Sequence, residues 1–151
     1  MDRLGNVMQL DPVLLEILAN KVVAASEEMA STLQRTARTL FVKEAADFAC
    51  ALVGVDGRVF AHPWASGVNL FVNLDANYTI RSVPDLGPGD VIVTNDPYQS
   101  GAMVTHTPDI TLIQPYFHKG RIVAYGWCFI HSTDVGGSVP SSIAPSLDEI
   151  F

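Results

Sequence analysis

Residues 110–130, ITLIQPYFHKGRIVAYGWCFI, decide the fold of this chain. The runs 110–117 (ITLIQPYF) and 121–130 (RIVAYGWCFI) are rich in β-branched and aromatic residues, which fit a pleated, half-buried surface. Lys119-Gly120 between them suits a two-residue turn, so the segment reads as a β-hairpin. Pro115 has no amide hydrogen to give to a ladder, which places the first strand at a sheet edge or beside a bulge. With His118 facing Arg121, strict pairing puts position 131 opposite Pro108, between His106 and Asp109. Cross-strand neighbours lie roughly 5–8 Å apart, so two imidazoles and a carboxylate converge at the open end of the hairpin.

That convergence is a ligand set for a divalent metal. Neutral imidazole nitrogen and carboxylate oxygen suit Zn, Mn or Fe(II), and three protein ligands leave positions for water or substrate. The H-x-x-D interval of His106 and Asp109 is common by itself, and the return of His131 to the same place is what adds weight. The same residues serve equally well as a loop histidine beside a turn-capping aspartate.

Composition bounds the rest. A chain of 151 residues fits one domain with a sizeable core. Hydrophobic residues make up 48% and charged residues only 17%, which points to a well-filled core or a surface covered by other protein. A net charge of -7 without any basic stripe argues against nucleic acid. No apolar run approaches the length needed to cross a membrane, residues 1–10 do not read as a signal peptide, and the expected compartment is the cytoplasm. Cys50 and Cys128 lie in apolar runs without C-x-x-C spacing and read as buried free thiols.

The first element is a long helix, with Asp11 as cap, Pro12 at the first position and no glycine or further proline to about Thr36. Leu15, Leu18, Val22, Ala25, Met29 and Leu33 form its apolar stripe. A helix of ~25 residues at 1.5 Å per residue spans on the order of 37 Å, longer than one small sheet, so part of the stripe is left for a partner. Glu16, Glu27 and Glu28 read as solvated charges. Residues 43–53 pass from helical to strand character, Asp56-Gly57 turns the chain, and residues 59–61 return antiparallel. Asp47, at the mouth of an apolar strand, is either a cap or surface ion pair with Lys43, or a carboxylate with a buried partner such as a metal. Residues 68–82 carry no decisive periodicity. Residues 85–90 form a compact turn before a short buried strand at 91–94, and the Gly-, Ser- and Pro-rich residues 136–145 read as loop. His62 and His118 join no converging set. The expected fold class is α+β: a long N-terminal helix packed on a largely antiparallel β-sheet.

The strings KEAADFACAL, DGRVFAHP, GPGDVIVTNDPY, HTPDI, HSTDVGG and SIAPSLDEIF, following Asp11-Pro12 and its helix, resemble in this order the N-terminal part of the hydantoinase B/oxoprolinase family. The resemblance covers essentially the whole chain, so that residues 1–151 are expected to be the N-terminal portion of a longer domain, cut short at Asp148-Glu149-Ile150-Phe151. It implies a subunit of an enzyme that opens cyclic amides such as hydantoins and 5-oxoproline with ATP, or a relative that carboxylates ketones. ATP is expected on a hydantoinase A-like partner subunit, making a hetero-oligomer, since nothing in this chain resembles a phosphate-cradling glycine loop. The resemblance puts His106, Asp109 and His131 as ligands of the divalent metal, with Asp47 as a fourth. Asp96 and Asp134 are then candidates to orient the ligating imidazoles through their second nitrogens, with turn formation as the alternative role. The chain departs from the family pattern in a longer loop between Asn95 and His106, and in Ser132 where a second histidine commonly follows His131. A truncated, inactive interaction module is the alternative function. An Fe(II) oxygenase reading is weaker, because those sites commonly present H-x-D, not H-x-x-D.

Overall fold

The computed structural model describes residues 11–65, 67, 73–101 and 104–139. The expectations for residues 68–72 and 140–145, and the string that closes the chain, lie outside the described residues. The architecture is α+β, a five-stranded antiparallel sheet with helices on both faces.

Helix α1 (Pro12–Thr36) begins where Asp11 accepts the amide hydrogen of Val13 at 3.0 Å and Pro12 occupies the first turn. A short α2 (Leu40–Lys43) follows, capped by the Thr39 hydroxyl. Strands β1 (Phe48–Val53) and β2 (Val59–Ala61) form a hairpin, α3 (Asn77–Arg81) packs Ile80 against one core cluster, and β3 (Ile92–Thr94), β4 (Asp109–His118) and β5 (Arg121–His131) complete the sheet. The spatial order is β2-β1-β5-β4-β3.

Alternation along β5 divides the core in two. Tyr125, Trp127 and Phe129 point to one face, where they pack with Ala49, Ala51, Val53 and Ile113 beneath Ala76 and Ile80. Cys128 and Ile130 point to the other, against Phe48, Cys50, Ala30 and Val42. Helix α1 covers that second face with only part of its stripe: Ser26 and Ala30 are buried and Met29 and Leu33 half-buried, while Leu15 and Leu18 are exposed. The N-terminal half therefore overhangs the sheet, as its length requires. Glu27 departs from the solvated role expected of it. Its carboxylate accepts the backbone amide of Trp64 at 2.6 Å and of Ala65 at 3.4 Å, which ties α1 to the loop after β2.

The hairpin at residues 110–130 forms with a difference that matters for the site. Lys119 and Gly120 both have positive φ, 50° and 76°, as a two-residue type I′ turn demands. His118 pairs with Arg121 and Phe117 with Ile122, but Tyr116 pairs with Ala124, so Val123 is an extra residue on β5. Beyond this bulge every pair is displaced by one, and His131 falls opposite Asp109 instead of Pro108. Pro115 lies two residues before the bulge and past the end of the β3 pairing, where a missing donor costs no ladder bond to β3. The strand at 91–94, expected to be buried, is the sheet edge instead: Ile92 faces the core while Val93 is 61% exposed.

Gly57 illustrates how tightly the β1–β2 turn is held. Its φ is +78°, and a Cβ there would stand 2.7 Å from the Asn77 amide nitrogen. Asn77 in turn bonds the Asp56 carbonyl, and Arg58 bridges Asp75, so one turn locks α3 to the hairpin. Gly57→Ala is expected to destabilise the fold by about 1–3 kcal/mol, combining the left-handed penalty with the displaced contact. Urea unfolding checks this, with Gly89→Ala as a comparison: it shares the positive φ but meets nothing within 4 Å.

Cys50 and Cys128 are free and directly opposed across β1 and β5. Burial, then the neighbouring Cys128 and Glu27, push the Cys50 thiol up to about 12, and burial alone pushes Cys128 to about 11. Both are therefore protonated at neutral pH in the native state. Labelling by a thiolate-directed alkylating reagent at pH 7.5 is expected to be slow until the chain is unfolded. The linkage has a definite sign: above the ordinary thiol value of 9.0 the unfolded chain loses these protons first, so native stability falls as pH rises from there towards 12. Denaturant midpoints at pH 8 and 10 check it.

Candidate metal centre

Strand register assembles the site. Phe48 pairs with Ile130 and Asp109 with His131, so the three strands β1, β5 and β4 place Asp47, His131 and Asp109 side by side in one row at the sheet end. Asp47 reaches its position through Ala46, whose φ of 54° turns the chain sharply out of α2. The Asp47 amide donates to the Phe41 carbonyl at 2.9 Å, and its carbonyl accepts from the His131 amide at 3.1 Å. His106 comes from the turn before β4, closed by the Asp109 amide donating to the His106 carbonyl at 3.1 Å. The Ser132 amide donates to the Pro108 carbonyl at 2.9 Å and seals the hairpin end against this turn.

Three ligand-type atoms converge here. His106 Nε2 lies 3.0 Å from Asp109 Oδ1, His131 Nδ1 lies 3.2 Å from the same oxygen, and the two nitrogens are 3.2 Å apart. Asp109 and His131 are buried and His106 is exposed, so the triangle has a closed back and an open front. Hydrogen bonding alone cannot satisfy all three contacts. Each ring nitrogen carries at most one proton: with both protonated the two N–H groups can donate to Asp109 Oδ1 but not to each other, and with one removed a lone pair faces the carboxylate. A cation facing three lone pairs resolves the conflict. For metal–ligand bonds of about 2.1 Å, adjacent corners of an octahedron lie about 3.0 Å apart and those of a tetrahedron about 3.4 Å. The observed edges match one face of an octahedron more closely, and the residues present fit a divalent metal.

The other candidates take different places. The Asp47 Oδ2 atom is 3.6 Å from His131 Nδ1, beside the triangle, with 39% of its side chain exposed. Asp96 accepts from the amides of Tyr98 at 2.7 Å and Gln99 at 3.0 Å, and Asp134 from the amide of Gly136 at 2.9 Å, so both carboxylates are engaged in turns. The His131 Nε2 atom is buried without a hydrogen-bond partner, and the ring is held instead by the Phe41 ring, T-shaped at 4.8 Å between centroids. Two contributors were not singled out from sequence. Phe41 sits on a helix of only four residues with no periodic signal, and Thr105, whose hydroxyl donates to Asp109 Oδ2 at 2.8 Å, is one of many turn threonines.

Comparison with known proteins decides the family. The sequence profile of Hydantoinase B/oxoprolinase matches residues 11–151. This chain belongs to the hydantoinase B/oxoprolinase family. It is 33% identical to the 5-oxoprolinase of Dictyostelium discoideum over 141 residues, 91% of this chain and 11% of that protein. It is 29% identical to the caprolactamase subunit beta of Pseudomonas jessenii over 144 residues, 94% of this chain and 24% of that subunit. The crystal structure of the ATP-dependent caprolactamase from that organism superposes with a TM-score of 0.71 at 29% identity, over 88% of this chain and 23% of that one. A nucleotide-free acetone carboxylase structure shares the fold, with a TM-score of 0.75 at 21% identity over 89% of this chain and 18% of the other. This hydantoinase B/oxoprolinase chain thus spans about a tenth to a quarter of the relatives it matches. Among the described residues no helix is long and apolar enough to cross a membrane.

Proposed function

We propose that this chain supplies the divalent-metal centre of an ATP-dependent cyclic amide hydrolase of the hydantoinase or 5-oxoprolinase type, or of a related ketone carboxylase. The observation that carries the reading is the triangle of His106, Asp109 and His131, in which a cation satisfies all three contacts and protons at most two. A metal of the Zn, Mn or Fe(II) class held there supplies Lewis acidity towards a carbonyl and lowers the pKa of bound water. His106, on the exposed side, leaves the front of the site open to substrate. Asp47 stands beside it as a fourth candidate ligand, either joining the set or accepting a proton from a bound water. Asp96 and Asp134 shape the loops on either side: Asn95 donates to the Thr107 carbonyl at 3.0 Å, which joins the Asp96 loop to the His106 turn.

Cyclic amides are the favoured substrates because the 5-oxoprolinase and caprolactamase relatives are named for them. ATP belongs on a hydantoinase A-like partner subunit, a reading supported by the designation of the caprolactamase relative as a subunit beta. The assembly is then a cytoplasmic hetero-oligomer. The test is co-purification of the full B-type polypeptide with its nucleotide-binding partner, followed by assay of 5-oxoproline, hydantoin and lactam opening. ATP-dependent product that disappears in His106→Ala supports the reading.

A second reading, an inactive interaction module, is favoured by the overhanging start of α1, where Val13, Leu14, Leu15, Ile17 and Leu18 are each 46–64% exposed. A complex that assembles but turns over none of these substrates, with or without added metal, supports that alternative.

A further inference from the structure

The two oxygens of Asp109 are used differently. Oδ1 faces both imidazoles at 3.0 and 3.2 Å, whereas Oδ2 accepts the Thr105 hydroxyl at 2.8 Å. Asp109 is 5% exposed, so its carboxylate cannot turn to water to satisfy the second oxygen. Thr105 is itself exposed and belongs to neither core cluster, so its hydroxyl acts on Asp109 without a packing duty. It sits immediately before His106, so the residue that carries one imidazole of the triangle is bonded in the chain to the residue that holds the carboxylate.

We propose that Thr105 is a positioning residue that holds Asp109 as a one-oxygen ligand, and thereby selects small divalent cations against large ones. The inference rests on the metal reading given above. A carboxylate whose second oxygen is tied to a hydroxyl presents one lone-pair direction to the cation, which suits bonds near 2.1 Å and six or fewer ligands. Calcium takes six to eight oxygens at about 2.3–2.6 Å and readily uses both oxygens of one carboxylate, so it gains most when that tie is cut. Thr105→Val keeps the shape and removes the donor. Thr105→Ser keeps the donor and removes only the methyl group.

The experiment is calorimetric titration of Mn²⁺, Zn²⁺ and Ca²⁺ into wild type and the two variants, with circular dichroism to confirm that each is folded, and the Mn²⁺ EPR spectrum of each loaded protein. In Thr105→Val, Mn²⁺ and Zn²⁺ affinity is expected to fall about 10–100-fold, as for other substitutions behind a ligand. Calcium affinity should hold or rise, so the Mn²⁺ to Ca²⁺ ratio falls at least tenfold, and the EPR spectrum changes. Thr105→Ser restores the ratio and the spectrum. A Thr105→Val protein with the wild-type ratio and spectrum overturns the inference while leaving the metal centre intact. Wild type that binds none of the three cations overturns both, which separates the two failures.

Discussion

Removing the His106 imidazole is expected to abolish metal binding while the fold survives. His106 lies on a turn with 44% of its side chain exposed, so His106→Ala opens no core cavity. It deletes one corner of a three-atom site, and the loss should exceed the roughly 10–100-fold typical of groups that only support a ligand. The consequence is visible without any assay of turnover. A cation present at about 100 times its dissociation constant stabilises a native state by about 2.7 kcal/mol, which in a domain of this size raises the melting temperature by about 5–10 °C. Wild type should show that shift on addition of Mn²⁺ or Zn²⁺, and His106→Ala should melt at the same temperature with and without metal. A variant that retains the full shift would remove His106 from the site.

The largest effect on stability is expected at Trp127. It is 1% exposed at the centre of β5, paired across the sheet with Ala51 on one side and Ile113 on the other, and its ring lies 6.0 Å from that of Phe129. Ala49 and Ala51 in the same cluster are too short to close the gap that removing the indole would leave. Trp127→Ala is expected to cost about 3–5 kcal/mol, a large part of the roughly 5–15 kcal/mol available to a domain. Chemical denaturation measures it, with Val93→Ala at the exposed sheet edge as the control expected to change stability by less than about 1 kcal/mol.

These two residues also mark what could be read from the sequence. The hairpin containing Trp127 was legible because alternating β-branched and aromatic residues flank a turn-forming Lys119-Gly120, a purely local signal. The long helix was legible for the same reason, from Asp11, Pro12 and an uninterrupted stripe. The site was legible only to within one residue. The bulge at Val123 is signalled only by Pro115, which leaves edge and bulge as alternatives and fixes no position, yet it moves His131 from Pro108 to Asp109 and so sets the triangle. Asp47 depended on β1 pairing with β5, a contact between residues some eighty positions apart that local pattern cannot supply. The exposure of Val93 followed from β3 lying at the edge, a property of the whole sheet. Family resemblance carried Asp47, His106, Asp109 and His131 forward together; the register explains physically why Asp47, Asp109 and His131 are neighbours, and the turn before β4 adds His106.

The most direct test of the metal centre is a crystal structure of the protein loaded with Mn²⁺ or Zn²⁺, with anomalous scattering data collected at the metal edge. The expected result is one strong anomalous peak about 2.0–2.3 Å from His106 Nε2, Asp109 Oδ1 and His131 Nδ1, with Asp109 bound through one oxygen. No peak at this position, with the three side chains in place and the metal present in excess, would contradict it.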